Sequence, residues 1–394
     1  MISKEHYFDW AATAPSDEEI LRKALDTSIE HWGNPSSIHE AGTDARKALE
    51  EARKRTADAL EVPADTIYFT SGGTESDHIP LLSLLSRQSK GSIIVSAIEH
   101  PAVREMAKMM KNTGWECIFA APDKNGFVQP ESIIENLKSD TAFVAVMAVN
   151  NETGAVQPVA KIAEALESAC KGKRKPLFHV DCVQAAGKIP LSFLGQKGID
   201  SAAVSAHKIG GPRGIGALYL SRQITPFLRG GGQEKTVRSG TENLFGATAL
   251  SLCMEKYSVS RKNPAAEKRL QTQVEYTKSF INLLMEIKGC VMIPHSRTAS
   301  NESPELYSPW VVQASFPGIP GQVMERALSA EGFYISTGSA CSSGHHDRPV
   351  LDTMGISGAE KESAVRFSFG WDTTYEAMQS LAEHVKKIAL QFAH

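Results

Sequence analysis

Short apolar runs alternate with longer amphipathic stretches through the first two-thirds of the chain. Ile67-Tyr68-Phe69, Ile93-Ile94-Val95, Ala142 to Val149, Leu177 to Val180, Ala202-Ala203-Val204 and Ile215 to Leu220 read as buried strands. The clearest amphipathic stretch predicts a helix from about Thr43 to Leu60. Ala45, Ala48, Leu49, Ala52, Ala59 and Leu60 share one face, and the pairs Glu50/Lys54 and Glu51/Arg55 lie on the other. Strands alternating with helices predict an α/β fold with a mostly parallel sheet covered on both faces. The pattern changes at Ser258-Val259-Ser260-Arg261-Lys262-Asn263-Pro264, which reads as a connector into a long helix from roughly Ala265 to Ile287. Fewer strands follow, the best being Val311 to Phe316 and Val365 to Phe369. This predicts a large domain over residues 15–262. A smaller α+β domain would comprise 263–394 together with the N-terminal segment 1–14.

Composition narrows the function. The 394 residues are 42% hydrophobic and 22% charged, enough to build sizeable cores, and the net charge of -3 leaves no basic excess for gripping nucleic acid. No apolar run approaches the ~20 residues of a membrane-spanning helix. The N-terminus carries no apolar stretch before a small-residue cleavage site, so a cytoplasmic protein is expected. Six cysteines, at 117, 170, 182, 253, 290 and 341, form no C-x-x-C pair. That argues for free thiols and against a zinc site or disulfide framework.

The segments that follow the strands carry the chemistry, because parallel sheets place ligands at the C-terminal ends of their strands. Thr70-Ser71-Gly72-Gly73-Thr74-Glu75-Ser76 offers a tight glycine turn and a helix start whose free N–H groups suit an anion. Asp181 closes a buried strand, where a carboxylate is costly without a cationic or strong donor partner. Lys208, in Ser205-Ala206-His207-Lys208, ends another strand before a glycine-rich turn, where a buried amine becomes a usable nucleophile for carbonyl compounds. Singly, these segments also read as a capped turn, a helix-capping aspartate and a surface lysine. Together they fit pyridoxal phosphate, which needs an aldehyde-capturing lysine, a carboxylate for its pyridine nitrogen and a nest for its phosphate. His100, after the Ile93 strand, supplies an imidazole for stacking on the ring.

Many ordered motifs run from Phe8-Asp9-Trp10-Ala11-Ala12-Thr13 to Val365-Arg366-Phe367-Ser368-Phe369-Gly370. Among them are Gly33-Asn34-Pro35-Ser36-Ser37, Glu99-His100, Val149-Asn150-Asn151-Glu152-Thr153-Gly154, His179-Val180-Asp181, Ala206-His207-Lys208, Arg238-Ser239-Gly240-Thr241 and Gly338-Ser339-Ala340-Cys341. On these the chain resembles the NifS-like cysteine desulfurases of the class V aminotransferase superfamily, over nearly its whole length. The resemblance implies the pyridoxal-phosphate-dependent transferase fold (fold type I), with Lys208 holding the cofactor and shuttling the Cα proton. His100 would stack on the ring and take part in proton transfer. Asp181 would pair with the pyridinium and Gln184 would hydrogen-bond the ring hydroxyl. Gly73, Thr74, Ser205 and His207 would hold the phosphate, joined by Thr241 from a neighbouring subunit, which implies a homodimer with shared sites. Asn151, at the cofactor, and Arg366 would face the substrate carboxylate, a task that suits a guanidinium fork.

Cys341 discriminates within the superfamily. It lies in Ser336-Thr337-Gly338-Ser339-Ala340-Cys341-Ser342-Ser343-Gly344, a small-residue stretch that reads as a mobile loop with an exposed thiol. Its thiolate would attack the sulfur of the substrate cysteine, leaving a persulfide on Cys341 and releasing alanine. The expected function is therefore conversion of L-cysteine to L-alanine, with sulfur passed to an acceptor protein such as an iron–sulfur scaffold, or to tRNA thiolation. A selenocysteine lyase or other class V lyase is the nearest alternative, and a non-catalytic sulfur-relay scaffold is one of another class. Cys182, beside Asp181, departs from the family's usual small residue and reads as packing. His345 and His346 make the loop more histidine-rich than the family pattern, which puts the acceptor in doubt more than the chemistry.

Overall fold

The structure, a computed structural model, describes residues 4–338 and 348–392. Seven strands build the main sheet: β1 (Ile67–Thr70), β2 (Ser92–Ser96), β3 (Glu116–Ala120), β4 (Phe143–Ala145), β5 (Leu177–Asp181), β6 (Ser201–Ser205) and β7 (Gly216–Leu220). Their spatial order is β1-β7-β6-β5-β4-β2-β3. The pairs β2/β3, β2/β4, β4/β5 and β5/β6 are parallel, whereas β7 is antiparallel to both β6 and β1. Every strand except β7 therefore runs the same way, and the segments after β1, β2, β5 and β6 emerge at one edge.

The expected strands are present, with informative differences. Residues 142–149 are all buried, yet only Phe143–Ala145 form ladder. Beyond them the chain folds back, with Val149 bridging Val156 so that Asn150 and Asn151 sit at a turn. Edge strand β3 was hidden from the hydrophobic pattern because it opens on Glu116 and is largely exposed or half-buried. The amphipathic helix spans Glu40–Leu60, and its side chains Ala45, Leu49, Ala52 and Leu60 are buried as its pattern requires.

The smaller C-terminal domain holds an antiparallel sheet of β8 (Val291–Ile293), β9 (Val311–Ser315) and β10 (Ala364–Ser368), in the order β10-β9-β8. Helices Pro264–Met285 and Tyr375–Phe392 pack together against it. Phe280 meets Phe367 and Phe369 edge to face, each at 5.3 Å, and the N-terminal residue Phe8 joins the same core. Phe8, Phe280, Phe367 and Phe369 are all fully buried, each worth about 1.5–3 kcal/mol of transfer free energy. The segment after Phe8 continues to the edge of the large sheet, so this packing positions Asp9, Ala11 and Ala12 for the site described next.

Candidate active site

The turn after β1 and the helix Gly73–Leu82 form one wall of a cavity of about 380 Å³. Gly72 has φ 154°, a conformation closed to residues with a side chain. A Cβ on Gly216 would lie 2.7 Å from Gly72 Cα and 2.6 Å from the Val204 carbonyl, so the start of β7 must also be glycine for the turn to pack this closely against it. The cavity is lined by Gly73, Thr74, Ser205 and His207 together with Ala12, Thr13 and Arg213. Four of the expected phosphate-holding residues thus converge on one space, at a helix N-terminus. Glu75 also borders it, but its carboxylate accepts from the Ser71 N–H and pairs with Arg238 at 3.1 Å. Thr241 is exposed and is not among the residues lining the cavity.

Lys208 follows β6 and points to the N-terminal segment. Its Nζ donates to the carbonyls of Ala11 (2.6 Å) and Ala12 (2.8 Å). Gln184 Nε2 donates to the same Ala11 carbonyl at 2.8 Å, and its Oε1 accepts from Lys188 Nζ at 2.8 Å. His207 faces Thr13 Oγ1 at 3.2 Å, and burial with the charge of Lys208 pushes its imidazole down to about 4. The neutral ring can therefore approach an anion only as a hydrogen-bonding group.

Asp181, at the end of β5, is 5% exposed and accepts from the Val183 N–H at 2.8 Å. Burial, reinforced by Asp77, lifts it to about 7. A protonated ring nitrogen beside such a group would hold it ionised, so the residue suits a pyridinium. His179 lies two residues earlier on the same strand face, its Nε2 3.1 Å from Asp77 and its Nδ1 2.8 Å from Ser201 Oγ. Burial pushes His179 down to about 4 and Asp77 well up.

His100 caps the helix Pro101–Asn112, whose proline at the first position needs no N–H partner. The His100 Nδ1 accepts from the Ala102 N–H at 3.2 Å, which leaves the ring proton on Nε2. Burial, with Lys208 and Arg104 adding repulsion, pushes the imidazole down to about 4. A neutral, partly buried ring fixed at a helix start suits stacking and proton transfer. Its neighbour Glu99 is buried, accepts from the Met147 N–H at 2.6 Å, and is pushed up to about 8 by burial and Asp181. Glu99 Oε2 has no hydrogen-bond partner among the described residues.

Arg366, in the middle of β10, turns away from its core neighbours Val365 and Phe367, which are fully buried. Its guanidinium donates to the Asn151 carbonyl (2.9 Å) and to Asp9 Oδ1 (2.8 Å), while Nε has no partner among the described residues. Asn150 builds the turn that presents Asn151: its Oδ1 accepts from the N–H groups of Glu152 (3.0 Å) and Thr153 (2.9 Å). Cys341, His345 and His346 lie outside the described residues. Reading the sequence for this site missed Ala11, Ala12, Asp77, Glu99, His179 and Lys188. Ala11, Ala12, Glu99 and His179 stood inside quoted motifs, but a backbone acceptor has no mark in its side chain and a lysine in an ordinary-looking turn leaves no pattern to find.

The chain matches the family described as Aminotransferase class-V over residues 6–381. It is 34% identical over 393 residues to a cysteine desulfurase IscS of Methanosarcina thermophila, covering 98% of this chain and 92% of that one. It is 32% identical over 392 residues to a cysteine desulfurase IscS of Dictyoglomus turgidum, covering 98% and 95%. Among solved structures it superposes on a NifS-like protein with TM-score 0.85 at 32% identity, covering 98% of this chain and all of that one.

Proposed function

The chain belongs to the class V aminotransferase family, and from that premise we propose that it is a pyridoxal-phosphate-dependent cysteine desulfurase. The observation that carries this reading is the convergence, at one sheet edge, of the turn at 71–74 with Ser205, His207, Lys208, Asp181 and His100. Gly73, Thr74, Ser205 and His207 would hold the phosphate, Asp181 the ring nitrogen, Gln184 the ring hydroxyl, and Asn151 the cofactor and the substrate carboxylate. When bound, pyridoxal phosphate supplies an aldehyde for the substrate amine and a ring that accepts the electron pair released at Cα.

Lys208 captures the cofactor and then moves the Cα proton, from a position set by the Ala11 and Ala12 carbonyls. His100 would pack over the ring as a neutral imidazole and take part in proton transfer. Arg366 binds the substrate carboxylate, which would share the guanidinium with Asp9. The Cys341 thiolate attacks the substrate sulfur, so an S–S bond forms as the Cβ–S bond breaks. The electron pair from that bond is protonated at Cβ, and alanine leaves. The persulfide then passes to an acceptor protein such as an iron–sulfur scaffold, or to tRNA thiolation.

A homodimer is the proposed assembly, with Thr241 reaching the partner's phosphate site. Leu25, Ile29, Trp32 and Ile38, which follow one another along the helix Glu18–Glu30 and its exit, are all exposed, as an interface would require. The cytoplasm is the proposed compartment. The five described cysteines are free, as suits a reducing environment, and no described helix is long and apolar enough to cross a membrane.

Peptide mass spectrometry after incubation with L-cysteine tests the reading. One extra sulfur atom on the Cys341 peptide of the wild type, and none in Lys208→Ala, is expected. Sulfur on another cysteine, or equal labelling of both proteins, would overturn it.

A further inference from the structure

Lys188 is a fully buried amine that the mechanism above does not use. It is 2% exposed, and its backbone is pinned by Trp310, whose Nε1 donates to the Lys188 carbonyl at 2.8 Å. Among the described residues its Nζ donates to Gln184 Oε1 at 2.8 Å and to no other acceptor, and no carboxylate is among the charges that act on it. The charged groups that act on it are Lys208 and Arg366, both cations, which together with burial push it down to about 7. A buried lysine in such company is costly unless its single hydrogen bond has a purpose.

The chemistry of that bond supplies one. An ammonium or amine Nζ–H donates and the Ala11 carbonyl only accepts, so together they permit a single orientation of the Gln184 amide. Oε1 must face Lys188 and Nε2 must face Ala11. One Nε2 hydrogen is then used on the carbonyl that also accepts from Lys208, and the other is left for a further acceptor.

We propose that Lys188 is a positioning residue that locks the Gln184 amide with its N–H edge presented to the cofactor. The inference rests on the reading of Gln184 as the donor to the ring oxygen. Without Lys188 the Gln184 Oε1 loses its donor, and the Ala11 carbonyl alone is left to hold the amide in that orientation.

The test uses full-length wild type, K188M, Q184L and the double variant, each loaded with pyridoxal phosphate, and reads the pH midpoint of the bound cofactor's visible band. K188M and Q184L should each raise the midpoint by about one pH unit, the size of one lost hydrogen bond to an ionised oxygen. The double variant should shift it no further than either alone. A Q184L protein with an unmoved midpoint overturns the reading of Gln184 itself. A shift in Q184L without one in K188M overturns only the positioning role, as does a K188M that melts lower with its midpoint unchanged. Additive shifts overturn it too, because Lys188 would then act on the ring through its own charge. Should K188M fail to fold, K188L is read in its place by the same criteria.

Discussion

Three carboxylates, Asp77, Glu99 and Asp181, are buried, and burial pushes each upward, with Asp181 adding to the shift of Glu99 and Asp77 to that of Asp181. Glu99 gives a testable sign. Its folded-state value of about 8 lies above the model-peptide carboxylate range, so the folded protein holds a proton that the unfolded chain has released. The stability it contributes is complete below the unfolded value of about 4.5 and is lost as pH rises to about 8. Glu99→Gln keeps the acceptor to the Met147 N–H but cannot ionise. The melting-temperature difference, variant minus wild type, should therefore grow steadily between pH 5 and 8. A flat difference across that window would show that Glu99 is ionised in the folded protein. At this scale the sequence disclosed where Asp181 and Lys208 stand, at the ends of two buried strands. It did not disclose Asp77 or Lys188, whose roles depend on partners 102 and 4 positions away and on complete burial.

Among the elements, the site depends on how β7 meets the turn after β1. Gly216 pairs with Thr70 on one side and Ser205 on the other, so one residue sets the spacing of both cradle walls. Gly216→Ala places a methyl group within 2.7 Å of Gly72 Cα and must displace the turn. Cofactor affinity should fall at least about tenfold, the equivalent of one hydrogen bond to a charged group, while the circular dichroism of the folded protein is kept. Equilibrium dialysis with pyridoxal phosphate measures this, and an unchanged affinity would remove the cradle from the account. The strands themselves were largely legible, because parallel strands buried on both faces are written as continuous apolar runs. Edge strand β3 and the short β8 were not, since exposure and brevity erase that signature. The reversal of β7 was not legible either: strand direction depends on connection geometry, which the hydrophobic pattern does not carry.

For the molecule as a whole, the N-terminal segment joins the two cores. Phe8 is buried with Phe367 and Phe369, Ala11 donates its N–H to Ser368 Oγ at 2.9 Å, and the Ala11 carbonyl receives Lys208 and Gln184. Asp9, on the same segment, holds Arg366. The packing of the smaller domain thereby fixes groups that face the large sheet, which is why a site read as separate strand-end motifs works as one unit. The sequence pattern located those motifs, yet this coupling through backbone carbonyls of residues 11 and 12 had no signature in side-chain type. The central claim is that this assembled site removes sulfur from L-cysteine through Cys341. The direct measurement is alanine release from L-cysteine, with reductant present, by cofactor-loaded wild type and Cys341→Ala. Alanine from the wild type, with a loss of about a hundredfold or more in a variant that still binds the cofactor, is the predicted result. Equal alanine release by both proteins would contradict it, and would assign the sulfur to an elimination that never passes through a protein persulfide.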